Sequence, residues 1–394
     1  MTGPYLAGLR LIRNTRRNDY LAGICSFDDA TEAKIVDVVP ETTGFCYPPR
    51  SFECAHQIQP RAVTFPAIRT IILKDQFVEV RSSYPYDEKR NCIYVDEAFS
   101  RSASYATYAG GHLVAHGRRK AIVRRNAAPI TIEQGIFLGG NGSFNYYHWL
   151  LEIASKLQVL PRLPEAMREV PLLVNRRVSE IGSYGDVLKV LAPERKLVYL
   201  DEGRSYFIQR ATFIQPFVTV PFNLRGDHKF SAEHCSTRPD AVHYLRNAVL
   251  PALGGTDAAH WPERIYLARG NRRPYNQDEL VAIAAKRGFE VLYPDQHSFL
   301  KQAGFFANAR VLVGPMGAAY SNLVFANPHC KALNWMPEEL GEYALFSNIS
   351  GILGIGLRHL FYSSGIRSTG DCYGHSYQIR PDLFQRALDC VLDQ

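Results

Sequence analysis

From Ala128 the chain alternates short apolar runs with segments whose apolar residues recur every three or four positions. Residues 130–138 read as a strand that ends in Gly139-Gly140-Asn141-Gly142, and residues 146–158 follow with amphipathic helical spacing, stopped at Pro161. A second unit predicts a strand over 170–174, a helix over 184–191 and strands over 196–200 and 206–214. Residues 254–262 read as a linker. The alternation then restarts, with strands over 264–268, 289–293, 310–313 and 331–335. Helices are expected over 277–287, over 298–308 and from Ala318 onward.

Strands alternating with helices imply parallel sheets covered on both faces. The expected fold is therefore α/β, with two Rossmann-like domains facing a cleft and ligands at the carboxyl ends of the strands. Residues 1–130 are expected to form a β-rich N-terminal section, residues 131–255 the first Rossmann-like domain, and residues 256–394 the second Rossmann-like domain with a C-terminal tail. Within the first section, runs 67–73 and 76–82, separated by Lys74 and Asp75, predict a hairpin.

Composition adds mainly exclusions. With 46% hydrophobic and 21% charged residues the chain is ordinary for a globular protein. The 45 Lys and Arg against 38 Asp and Glu leave a charge of +7 that is spread along the sequence. Such an excess suits a phosphate-bearing substrate or peripheral contact with an anionic membrane, and lacks the basic tail or dense basic helix of a genome-binding protein. No nucleic-acid partner is expected. No run of 18 apolar residues occurs and the first 19 residues carry no signal-like apolar stretch, which predicts a cytoplasmic protein, at most peripheral at the inner face of the membrane. The eight cysteines lack a C-x-x-C pair or a histidine at ligand spacing, so reduced thiols are expected rather than a metal site.

Three features carry chemistry. The strand 311–313 runs into Gly314-Pro315-Met316-Gly317-Ala318-Ala319, where small residues open a helix. A ligand can approach that backbone closely, and the first helical turn offers unpaired N–H groups; Ser321 and Asn322 add side-chain donors. The strand 264–268 ends in Arg269, Gly270, Asn271, Arg272 and Arg273, cations placed where α/β proteins hold ligands and shaped to grip phosphate oxygens. In the other half, the glycine-rich loop 139–142 delivers His148 to a helix start, with Glu152 four residues on, where its carboxylate can orient the imidazole. A tight turn packed for its own sake, a solvated basic loop and a structural histidine are the plainer readings of the three.

The string Asn145-Tyr-Tyr-His-Trp-Leu-Leu-Glu152 resembles the N-Y-x-H-W-x-x-E motif of glycosyltransferase family 61. The stretch from Arg264 to Arg269, through Gly314-Pro-Met-Gly-Ala318 to Asn334-Trp-Met-Pro337, is similar to the nucleotide-binding half of that family. The resemblance implies a GT-B fold and an inverting, metal-independent transfer with no cofactor. It implies a nucleotide-sugar donor, a UDP-sugar in many members, and a glycan or lipid-linked glycan acceptor, as in bacterial capsule or other surface polysaccharide synthesis. Two positions depart from the family pattern. Met316 stands where a histidine is usual, and Asn334 where a glutamate often holds the ribose hydroxyls.

The expected catalytic residues are His148, as general base, and Glu152, with Asp227 and His228 in reserve. The expected donor contacts are Arg269, Arg272, Arg273, Tyr293, His297, Gly314, Gly317, Ala318, Ala319, Ser321, Asn322 and Asn334. Two rival readings remain at this level. One is a catalytically decayed nucleotide-sugar-binding scaffold, suggested by Met316 and Asn334; the other is a nucleic-acid binder, suggested by charge alone and testable by salt-sensitive oligonucleotide binding.

Overall fold

A computed structural model of the chain describes residues 18–30, 33–54, 59–95, 110–116, 119–125, 128–220, 231–254, 261–270, 273–366 and 375–393. Four strands form a parallel block of the first sheet: β1 (Ile130–Leu138), β2 (Leu172–Asn175), β3 (Leu197–Leu200) and β4 (Tyr206–Ile214). Their spatial order is β3-β2-β1-β4, with parallel pairing throughout. All four residues of β2 are buried, as a strand covered on both faces requires. The order reverses direction between β1 and β4, and the carboxyl ends of those two strands define a switch-point crevice.

The N-terminal section does not stand apart from this sheet. Its strand Ile68–Val78 pairs antiparallel with β4, and further strands extend the sheet to eleven. The hairpin expected around Lys74 and Asp75 is absent, because Ile68–Val78 is one unbroken strand of 11 residues. Asp75 takes φ 56° without reversing the chain, a conformation that aspartate tolerates better than most residues. Pairing with β4 resumes on either side of it, Lys74 with Arg210 and Gln76 with Ile208. Long-range pairing overrides the local turn signal.

The second sheet contains β5 (Arg264–Leu267), β6 (Glu290–Leu292), β7 (Val311–Pro315), β8 (Lys331–Pro337) and β9 (Gly356–Tyr362). It is wholly parallel, in the order β6-β5-β7-β8-β9, so its switch point lies between β5 and β7. The sequence reading named no element beyond the strand 331–335, and the region after β8 supplies β9 and the helices Leu345–Leu353 and Pro381–Leu392. The backbone of Phe52 from the N-terminal section bonds to His359 on β9 at 2.9 Å, so this section contacts both sheets.

Helices of both units share one apolar layer. Trp149, Leu157, Val187 and Leu245 from the first unit pack in a single buried cluster with Phe299, Phe306, Leu323 and Ile349 from the second. The two short helices nearest the crevices are not α-helical. His148–Ile153 is π-helical, with the Ala154 N–H bonded to the Trp149 carbonyl five residues back, and a 3₁₀ segment Ala154–Arg162 continues it past Pro161. Ala318–Phe325 is also 3₁₀. Among the described residues no helix is long and apolar enough to cross a membrane, and Cys25, Cys46, Cys92, Cys235 and Cys330 are free thiols.

Candidate active site

The first crevice is built from β1 outward. Beyond β1 the chain turns through Gly142 at φ +74°, where a Cβ would lie 2.4 Å from His148 Cδ2. Only glycine meets both the backbone demand and the close approach of the imidazole. Asn145 then starts the helix: its Oδ1 accepts from Tyr147 N at 2.9 Å and its carbonyl from Trp149 N at 2.9 Å. Trp149 stacks on Tyr184 with centroids 5.7 Å apart and planes 2° from parallel, and Tyr184 donates to the Phe144 carbonyl at 3.0 Å. The residues on either side of His148 are therefore locked by packing.

His148 Nδ1 lies 2.6 Å from Glu152 Oε2, while Glu152 Oε1 accepts from Val220 N at 3.0 Å. The carboxylate thus takes its proton donor from Nδ1, which leaves the Nε2 lone pair as the basic position of a neutral ring. Both side chains are largely buried and line a crevice with Gly139, Gly140 and Asn141 after β1 and with Gln215 and Pro216 after β4. That is the switch point of the first sheet. π-helical turns recur at functional sites, and this one presents His148 and Glu152 to the crevice, which the buried Lys156 of the following 3₁₀ segment also lines. Lys156 was not singled out from the sequence, where nothing distinguishes it from other helical lysines.

The second crevice opens at the switch point between β5 and β7. Gln277 clasps the backbone of Arg269, accepting from its N–H at 2.8 Å and donating to its carbonyl at 3.1 Å. The Arg269 guanidinium donates to the Met316 carbonyl and lies over Gly317, where a Cβ would sit 2.7 Å from Nη2. Burial pulls the Arg269 guanidinium below its ordinary pKa, and the neighbouring charge of Arg273 adds to that effect. Arginine remains protonated regardless, so the result is a weakly hydrated positive charge suited to an anion. The crevice is lined by Arg269, Arg273, Met316 and Trp335, together with residues C-terminal to β8.

The other expected donor contacts are distributed unevenly. Gly317, Ala318 and Ala319 are half-buried beside Arg269, and Gly314 lets β7 approach the Leu267 carbonyl, where a Cβ would lie 2.7 Å away. Ser321, Asn322 and Asn334 are fully buried. Asn322 is occupied by Tyr146 and Gln302, while the side-chain polar atoms of Asn334 and Ser321 have no hydrogen-bond partner among the described residues. Tyr293 and His297 are half-buried outside the lining of this crevice, with the His297 ring edge-on to Phe305 at 5.1 Å. Arg272, Asp227 and His228 lie outside the described residues. Among those described, no group of three or more His, Cys, Asp or Glu side chains gathers as a metal-ligand set.

Tyr343 packs against the apolar cluster containing Tyr84, a wall of the first crevice, and against the cluster containing Ile366, a wall of the second. The arrangement is an α/β protein with an acid–base pair at one strand switch point and a cationic crevice at another. The model of the family described as Glycosyltransferase 61 matches residues 146–333, slightly less than half of the 394 residues. This segment carries His148, Glu152, Arg269 and the Met316 loop, and on that match the protein is a glycosyltransferase. No curated protein matches the chain.

Proposed function

We propose that the protein is an inverting, metal-independent glycosyltransferase of GT-B architecture that moves a sugar from a nucleotide-sugar, a UDP-sugar by resemblance, to a hydroxyl of a glycan or lipid-linked glycan. The observation that carries this reading is the His148–Glu152 pair, 2.6 Å apart, with Glu152 held by the Val220 amide. His148 Nε2 takes the proton of the acceptor hydroxyl as that oxygen forms its bond to the anomeric carbon. The bond from that carbon to the phosphate oxygen breaks on the opposite side, and the nucleoside diphosphate leaves. Arg269 and Arg273 neutralise the charge that develops on it, the part a metal ion plays in other transferases. The setting is surface polysaccharide synthesis in the cytoplasm, with peripheral contact at the inner face of the membrane.

His148→Ala tests the reading. Turnover, followed as nucleoside diphosphate released from a panel of nucleotide sugars with acceptor, falls by about 10²–10⁴-fold, while nucleotide affinity stays near the parent value. A folded variant with parental turnover removes His148 from the mechanism.

A further inference from the structure

Three aromatic rings are stacked in a column beside the cationic crevice. Tyr377 lies between Tyr275, with centroids 5.3 Å apart and planes at 7°, and Tyr362, at 4.6 Å and 12°. The Trp335 indole donates to the Tyr377 hydroxyl at 3.2 Å, fixing the middle ring. Tyr362 ends β9, and the chain beyond it is pinned where Ser364 N and Oγ bond to Glu339 at 3.1 and 3.0 Å. Tyr362, Ser364, Ile366, His375 and Tyr377 all line the crevice that holds Arg269 and Arg273, and all lie C-terminal to the matched segment.

We propose that these C-terminal residues complete the donor site for a nucleoside diphosphate, with Tyr362 stacking on the base and His375 donating a hydrogen bond to the diphosphate beside the two arginines. The inference rests on the donor placement given above and adds the part of the site that reads the nucleoside. An aromatic face and convergent cations within one crevice are complementary to a ligand with a flat base at one end and charge at the other. Arginines alone would serve any phosphate. The aromatic column gives the crevice a reason to prefer a nucleotide to pyrophosphate.

Calorimetry on the full chain tests this with UDP, GDP and pyrophosphate, taking the tighter nucleotide forward. Tyr362→Ala and Tyr362→Leu weaken nucleotide binding by about 10-fold or more, the scale of one lost base–aromatic stack, and leave pyrophosphate unchanged. Tyr362→Phe keeps the ring and restores the affinity. His375→Ala weakens nucleotide and pyrophosphate alike, by about 3–10-fold. Parental affinity in Tyr362→Leu and His375→Ala, with binding lost in Arg269→Ala, overturns this inference and leaves the donor placement standing. Parental affinity in Arg269→Ala as well, or no nucleotide binding by the wild type, removes both.

Discussion

The Tyr146 hydroxyl donates a 2.7 Å hydrogen bond to Asn322 Oδ1, joining the segment that carries His148 to the helical turn beyond Met316. Asn322 passes the connection on, its Nδ2 donating to Gln302 Oε1 at 3.1 Å, and Gln302 donates to the His297 carbonyl at 2.9 Å. A residue expected to touch the donor thus acts between the two halves, and burial makes its bonds count. Burial also pushes the Tyr146 hydroxyl pKa far up, so it stays a donor across the physiological range.

Tyr146→Phe removes one donor and leaves a buried amide oxygen unpaired. The expected cost is about 1–3 kcal/mol of stability, with Asn322→Ala costing at least as much because Gln302 loses its partner too. Chemical denaturation of the two variants and the double variant measures it. The effects should be far from additive, since both single changes break the same bond; strict additivity would show that the pair is not coupled.

Gly142→Ala strains the loop twice, through φ +74° and through a Cβ 2.4 Å from the His148 ring. The imidazole must shift, so turnover is expected to fall more than stability does. Comparing the variant's melting temperature with its turnover checks this. Parental turnover would mean that His148 needs no such support.

Two buried histidines set an acid limit. His112 Nε2 lies 2.6 Å from the Tyr84 carbonyl, and His359 Nδ1 lies 3.2 Å from the Arg50 amide nitrogen. Burial lowers each pKa to about 4. An unfolded histidine titrates near 6.5, so between about pH 6.5 and 4 the unfolded chain binds more protons and stability falls as pH falls. The slope is about 1.4 kcal/mol per pH unit for each histidine, and neither contributes above that window. Melting temperatures from pH 7 to 5 should decline, and His112→Gln with His359→Gln should flatten the decline. An unchanged slope in that double variant would assign it to other groups.

Much of the parallel framework was readable because it is written locally. The expected spans 130–138 and 206–214 coincide with β1 and β4, whose ends are marked by glycine and by Pro216. The helix expected over 298–308 appears as Phe299–Asn308, with Ser298 as its N-cap. The hairpin at Lys74 failed because its outcome was decided by β4, more than a hundred residues away. The aromatic column was invisible for a similar reason: Tyr275, Tyr362 and Tyr377 come from three segments, and no spacing rule links them. Asn334, expected as a donor contact from its motif position, is wholly buried in β8 with both polar side-chain atoms unpartnered among the described residues, on a strand whose Trp335 reaches the crevice lining.

The proposed division of labour makes transfer insensitive to chelators. With Arg269 and Arg273 carrying the leaving-group charge, product release in EDTA should equal that in buffer. Activity lost in chelator and restored by manganese or magnesium would sink the metal-independent mechanism.

Glu152 is the most informative position left, because its two oxygens serve different partners. Oε1 holds Val220 and Oε2 holds the His148 ring, so truncation to alanine would loosen both the backbone and the base. Glu152→Gln is the cleaner change. If its amide carbonyl stays with Val220 N–H, the NH₂ group faces His148 Nδ1 and favours the tautomer whose proton sits on Nε2. That tautomer cannot accept a proton from the acceptor at Nε2. Exchanging the carboxylate for an amide in a serine-protease triad lowers turnover by about 10⁴-fold for this reason. Here kcat should fall by about 10²–10⁴-fold with KM for the donor little changed, and Glu152→Asp should recover part of the loss. A purely structural Glu152 gives another pattern, in which melting temperature and activity drop together and Asp rescues neither. Equal kcat in Glu152→Gln and the parent would leave His148 without need of an anionic partner, and the proposed base would have to be sought elsewhere in the crevice.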